Sequence, residues 1–262
     1  MQLNQIYNQD CLVGMLDIPD KSIDAIICDL PYGTTRNHWD SAIPLDALWK
    51  QYNRIIKDNG AIILFSQMPF TAVLACSNLS MLKYEIIWRK NNSTGFLNAN
   101  FAPLKSHEVI LVFSKASACF VKDKRHAMVY NPQKSYGHKP YVNRKKNPTG
   151  SKNYDFKHFK SCITRSDGER FPTDVLTFPY DKEKLHTTQK PVALIEYLVK
   201  SYTNSGGVVL DNCMGSGSTA IACINTNRNF IGYELDKTYY DIACQRIKQA
   251  DMCREMDMFN AI

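Results

Sequence analysis

Six short stretches of the chain are apolar almost without interruption: residues 23–28, 61–65, 84–88, 109–113, 208–210 and 230–233. Runs of that length, with little polar alternation, predict strands covered on both faces. Helical spacing fills the intervals. Leu194, Ile195, Leu198, Val199 and Tyr202 fall on one helical face, and Tyr239, Ile242, Ala243 and Ile247 on another. Strands that alternate with helices predict an α/β fold with a doubly wound, mostly parallel sheet.

One segment breaks the pattern. Residues 122–160 carry eleven Lys or Arg against two Asp, a local net of +9, where the whole chain of 262 residues carries +7. Tyr130, Tyr136, Tyr141, Tyr154, Phe156 and Phe159 are interleaved with that charge. Asn, Gly and Pro keep the segment from reading as regular structure. It is either a solvated loop region or a nucleic-acid surface, on which cations meet phosphates while aromatic and amide groups meet bases.

Two turns that follow predicted strands carry the candidate chemistry. DLPYG, residues 29–33, places a carboxylate, a Leu-Pro pair and an aromatic ring after the apolar run 23–28. LDNCMGSGSTA, residues 210–220, ends a strand in Asp211 and turns through Gly215 and Gly217 toward a helix expected to begin near Ser218 or Thr219. Such glycines let backbone approach a ligand at a helix N-terminus. A phosphate-binding loop of the G-K-[ST] kind would need a Lys that is absent here. Ala220 and Glu234 keep the spacing of a dinucleotide fingerprint open, and a plain strand-to-helix turn is the simpler alternative. Asp29 and Asp211 both stand at carboxyl ends of predicted strands, the edge along which open α/β sheets bind ligands. Two loaded turns on one edge imply two ligands held side by side, with a reaction between them.

Composition narrows the setting. Hydrophobic residues make up 44% of the chain, enough for a core and too many for wholesale disorder. No apolar run has the length of a membrane span, and the opening MQLNQIYNQD has neither the basic start nor the apolar stretch of a secretory signal, so a cytoplasmic location is expected. None of the nine cysteines forms a C-x-x-C pair, which predicts free thiols in a reducing compartment and no metal site.

DLPYG resembles the D-P-P-Y motif of the amino-methyltransferases that act on DNA bases. LDNCMGSGSTA resembles their S-adenosylmethionine loop, D-P-F-x-G-S-G-T, and HTTQKP, residues 186–191, resembles the H-P-T-Q-K-P signature that precedes it. The order of catalytic motif, basic region and cofactor loop is that of the β class, a circular permutation of the common methyltransferase fold. Short phage, prophage and restriction-system adenine methyltransferases are the nearest in pattern. The resemblance implies a catalytic half over residues 1–114, a target-recognition region over 115–180 and a cofactor-binding half over 181–262. It implies S-adenosylmethionine as cofactor and double-stranded DNA as substrate, in a bacterial or phage-infected cell. It also allows a homodimer and a cognate restriction endonuclease as partners.

Carried over by position, the resemblance makes Asp29, Leu30, Pro31 and Tyr32 catalytic. Asp29 and the carbonyl of Leu30 or Pro31 accept hydrogen bonds from the target amine, and Tyr32 stacks on a base swung out of the duplex. The cofactor is assigned to Asp10, Cys11, Asp29, Thr188, Lys190, Asp211, Cys213, Gly215, Gly217, Ser218 and Glu234. Glu234 is expected on the ribose hydroxyls, and Thr188 and Lys190 near the methionine carboxylate. DNA contacts are expected from Trp39, Lys134, Arg144, Lys145 and Lys146. Asp rather than Ser at position 29 favours adenine N6. Cytosine N4, an RNA substrate and a DNA-binding protein that has lost catalysis are the alternatives. Leu30, Thr187, Asn212 and Cys213 depart from the family pattern, the first two where Pro is usual and the last pair where Pro-Phe is.

Overall fold

The computed structural model describes residues 1–33, 42–119, 123–146, 161–181 and 189–260. The expected positions Trp39, His186, Thr187 and Thr188 lie outside them. Among the described residues there are ten strands: β1 (Gln5–Tyr7), β2 (Ile23–Asp29), β3 (Ile56–Ser66), β4 (Leu82–Thr94), β5 (Lys105–Phe113), β6 (Tyr141–Lys146), β7 (Ser161–Ser166), β8 (Val175–Thr177), β9 (Val208–Asp211) and β10 (Asn229–Tyr233). Six helices accompany them: α1 (Cys11–Gly14), α2 (Leu45–Ile55), α3 (Phe70–Ser77), α4 (Val192–Tyr202), α5 (Ser218–Asn225) and α6 (Lys237–Asn260). Each of the six apolar runs forms a strand, and the predicted apolar faces belong to α4 and α6.

Eight strands form one sheet in the order β1-β10-β9-β2-β3-β5-β4-β8. Only β5 is reversed, being antiparallel to both β3 and β4. Successive residues of the central strands alternate between two cores. Ala25, Ile27, Ala61, Ile63 and Val209 face Leu194, Leu198, Ala220 and Ala243 of α4, α5 and α6. Ile26, Cys28, Ile62, Leu64 and Leu210 face Leu48, Tyr52, Ile55 and Leu74 of α2 and α3. A strand buried on both sides has no polar face to show, which is why its sequence is continuously apolar. Each fully buried Ile contributes about 1.5–3 kcal/mol, so the pair of cores is what fixes the strand ends in place.

The chain divides into two compact units, residues 1–131 with 174–262, and residues 132–173. The second is narrower than the 115–180 region outlined from sequence. It is not wholly irregular either: β6 and β7 pair antiparallel from Tyr141↔Ser166 to Lys146↔Ser161. Around them Arg170 lies 4.6 Å over the Tyr141 ring, and its guanidinium donates to the Lys139 carbonyl and Ser166 Oγ, each at 2.6 Å. The sequence pattern missed this pair because its strands, YVNRKK and SCITRS, are mostly polar and carry no continuous apolar run.

Candidate active site

Four neighbouring parallel strands each lead into an acid at their carboxyl ends: Asp10 shortly after β1, Glu234 directly after β10, Asp211 closing β9 and Asp29 closing β2. All four line one cavity of about 600 Å³. The fold therefore gathers, along one sheet edge, residues up to 224 positions apart in sequence.

Asp29 is gripped from two sides. The Tyr32 hydroxyl donates to Oδ1 at 2.7 Å, and the Lys190 ammonium donates to Oδ2. Lys190 also lies 3.2 Å from Glu108 Oε2, while Glu108 Oε1 is paired with Lys90 Nζ at 2.6 Å. Lys90, Glu108 and Lys190 are all at least 91% buried. The row Lys90–Glu108–Lys190–Asp29 alternates in sign and is neutral overall, the arrangement that lets charges persist away from water. Burial lifts the Asp29 carboxyl above its ordinary range and Glu108 adds to this, against the pull of Lys190. Burial opposes the Lys190 ammonium, yet its two carboxylate neighbours outweigh that and hold its pKa up. The same two lysines hold Glu108 below its usual value despite burial. Sequence reasoning missed Lys90 and Glu108. Their one signal is that an acid and a base begin or end apolar strand segments where a hydrophobe would serve.

The glycine turn is built by hydrogen bonds. Asp211 Oδ2 accepts from Thr219 Oγ1 at 2.6 Å and Oδ1 from the Cys213 amide at 3.1 Å. Burial raises Asp211 to about 6, against the bonds from Thr219 and Cys213. The Gly215 amide donates to Glu234 Oε2 at 2.7 Å, and the Asp236 amide to Oε1 at 2.8 Å. Ser216 Oγ reaches Gln189 Oε1 at 3.3 Å, joining the turn to the segment that carries Lys190. Asp10 caps α1, with Oδ1 accepting from the amides of Leu12 and Val13. A cap and a cavity wall are thus the same residue.

The departures from the family pattern have structural reasons. Leu30 is 3% exposed and joins the second core, so the usual proline is replaced by a packing residue. Asn212 accepts from the buried Tyr52 hydroxyl, and its amide faces the sulfurs of Cys11 and Cys213 at 3.6 and 3.5 Å. A polar plug with its own partners stands where an aromatic wall is usual. Two of the thiols here are held protonated: burial pushes Cys28 up to about 12 and mutual hydrogen bonding holds Cys213 high. Cys11 is shifted the other way, by its bond with Cys213.

Of the residues expected to act, Asp10, Cys11, Asp29, Leu30, Pro31, Tyr32, Lys190, Asp211, Cys213, Gly215, Ser218 and Glu234 line the cavity. Gly217 does not. It caps α5 at φ +86°, and a Cβ there would stand 3.1 Å from the Ala243 methyl. Its glycine is needed for the turn and for α6. Lys190 lines the cavity, but its ammonium is engaged by Asp29 and Glu108 rather than free for a ligand carboxylate. Lys134 is likewise engaged, paired with Glu169 at 2.8 Å and 4.6 Å from the Phe171 ring. Arg144, Lys145 and Lys146 lie on β6.

A family model described as DNA methylase matches residues 23–245. The chain belongs to this family. It is an S-adenosylmethionine-dependent, site-specific DNA methyltransferase. The type II methyltransferase M.BglII of Bacillus subtilis is 29% identical over 93% of this chain and 68% of its own length. The DNA adenine methyltransferase YhdJ of Escherichia coli K12 is 26% identical over 94% of this chain and 83% of its own. The crystal structure of the M1.HpyAVI–SAM complex superposes with a TM-score of 0.61 at 26% identity, over 92% of this chain and 98% of that one. The methylase cavity fits such a cofactor. Its acids suit a ligand bearing a sulfonium and an ammonium, and Ser218 Oγ is buried on its wall with no hydrogen-bond partner among the described residues. Among those residues no His, Cys, Asp or Glu cluster could hold a metal, and no helix is long and apolar enough to cross a membrane.

Proposed function

We propose that this methylase transfers the methyl group to N6 of adenine in double-stranded DNA, with Asp29, Leu30, Pro31 and Tyr32 as the groups that meet the base. The observation that carries the reading is Asp29, fixed on the cavity wall by Lys190 and Tyr32 and lifted by burial. An exocyclic amine is a poor nucleophile because its lone pair is delocalised into the ring. Each Asp29 oxygen keeps a lone pair beyond its present bond, so the carboxylate can accept an amine proton without losing its supports. The carbonyls of Leu30 and Pro31 are the acceptors for the other amine hydrogen. Two acceptors bias the nitrogen toward a pyramidal geometry, in which its lone pair is localised and can attack, and placement does much of the rest. The bound cofactor supplies an electrophilic methyl group. Asp10, Asp211, Gly215, Ser218 and Glu234 are the residues that would hold it, with Glu234 oriented for hydroxyls by two backbone amides.

Adenine is favoured by Asp at position 29 and by the 26% identity to an adenine methyltransferase. Cytosine N4 is the second reading, since the family embraces both amines. Residues 132–173 are proposed as the core of target recognition, on the strength of a separate fold and of the charge carried by 122–160.

The test is mass spectrometry of nucleosides from unmethylated DNA treated with the protein and S-adenosylmethionine. N6-methyladenine is expected; N4-methylcytosine would overturn the choice of base. Asp29→Ala should lose more than about 100-fold in rate while calorimetry still detects the cofactor. Full activity in that variant would refute the role of Asp29.

A further inference from the structure

Among the described residues the three most exposed large apolar side chains are Phe101 at 89%, Leu97 at 81% and Phe96 at 76%. They are not scattered. All three sit on the turn between β4 and β5, and every residue from Asn91 to His107 is exposed. Sheet register says where this turn points. The last β3–β5 pair is Ser66↔Val109, and the last β4–β8 pair is Arg89↔Thr177. Beyond them β4 and β5 pair only with each other among the described residues, ending at Thr94↔Lys105. Because β5 runs against β3, this two-stranded arm leaves the sheet at the carboxyl edge, the edge that bears Asp29. Its register shifts between Arg89 and Thr94.

The tip is built rather than loose. Gly95 turns at φ +89°, and the amides of Asn98, Ala99, Phe101 and Ala102 donate to the carbonyls of Gly95, Phe96 and Asn98 at 2.9–3.1 Å. Its rings are thereby held outward, where exposed aromatic surface is costly without a partner. The partner's charge is legible. The arm's exposed charges are Arg89 and Lys105, with no acid from Ile86 to His107, whereas Lys90 is buried against Glu108. Apolar rings on a cationic, amide-rich arm suit a polyanion that also offers π-faces.

We infer that the β4–β5 arm is a DNA-contacting wedge: Arg89 and Lys105 follow the phosphates, and Phe96, Leu97 and Phe101 pack on bases beside the position from which the target base departs. The inference rests on the DNA-methylation reading and adds a contact surface to it. The competing occupant of an apolar tip is a second copy of this chain.

Two measurements decide it. In the first, p-benzoylphenylalanine replaces Phe101 and the full-length protein is irradiated with a fluorescein-labelled, mixed-sequence 40-base-pair duplex. A protein–DNA adduct is expected; an adduct between two copies, or none with DNA, overturns the inference. In the second, Phe101→Lys adds a cation to the tip. If the ring packs on bases, methylation of unmethylated phage DNA falls about 10- to 100-fold with duplex affinity largely kept. If the tip only lies near phosphates, affinity rises and methylation does not fall, which also overturns it. A wild-type protein that methylates no nucleoside, yet yields the DNA adduct, would sink the methylation reading and leave the arm's DNA contact standing.

Discussion

Asp29 closes a row of buried charges, and what that row does to its ionisation can be measured. Glu108 raises the Asp29 pKa through its negative charge, and Lys190 lowers it. Removing the Glu108 charge therefore lets Asp29 ionise at lower pH. In Glu108→Gln the acid limb of the kcat/KM profile should move downward in pH, while calorimetric cofactor affinity changes little. An unmoved limb would reduce Glu108 to packing. Stranding Lys90 costs about 3–5 kcal/mol, so Lys90→Met/Glu108→Gln, which deletes the ion pair whole, is the companion variant. Its limb should shift the same way with less loss in melting temperature. None of this could be read in advance. Glu108 sits 79 positions after Asp29 and 82 before Lys190, and a charge in a strand carries no mark of its partner.

At the scale of elements, the two glycines of the turn after β9 separate into different jobs. Gly215 lines the cavity and donates to Glu234, whereas Gly217 begins α5 in the left-handed region against Ala243. A side chain at Gly217 meets strain and crowding together, about 2–4 kcal/mol in sum. Gly217→Ala should therefore melt several degrees lower, yet bind cofactor within about threefold once folded. Near-normal melting with lost binding would place Gly217 at the ligand after all. The motif spelling treats the two alike, because both glycines are obligatory for one loop. Only the packing of α6 tells them apart. Similarly, HTTQKP named Lys190 without saying that its ammonium turns to Asp29.

Over the whole molecule, charge is segregated. The stretch 122–160 carries a net of +9 and the rest of the chain is slightly negative. Cations along β6 should supply counterion release on DNA. Replacing Arg144, Lys145 and Lys146 with Gln should flatten the slope of log affinity against log salt by about 2 to 3. An unchanged slope would place the phosphate contacts elsewhere. Lys134, already paired with Glu169, should contribute little to that slope.

The sequence alone determined the elements whose physics is local. Short continuous apolar runs read as strands buried on both faces, and the Gly-rich turn after Asp211 reads as the entry to a helix. Three short motifs in one order then named the chemistry. Tertiary structure decided whatever depends on partners distant in the chain. β1 is three residues of mixed character, made a strand only by pairing with β10. The four acids meet because parallel strands share one carboxyl edge. The Lys90–Glu108–Lys190–Asp29 row, and an arm that carries apolar rings into solvent beside that edge, follow from strand order and register. No window of neighbouring residues contains either.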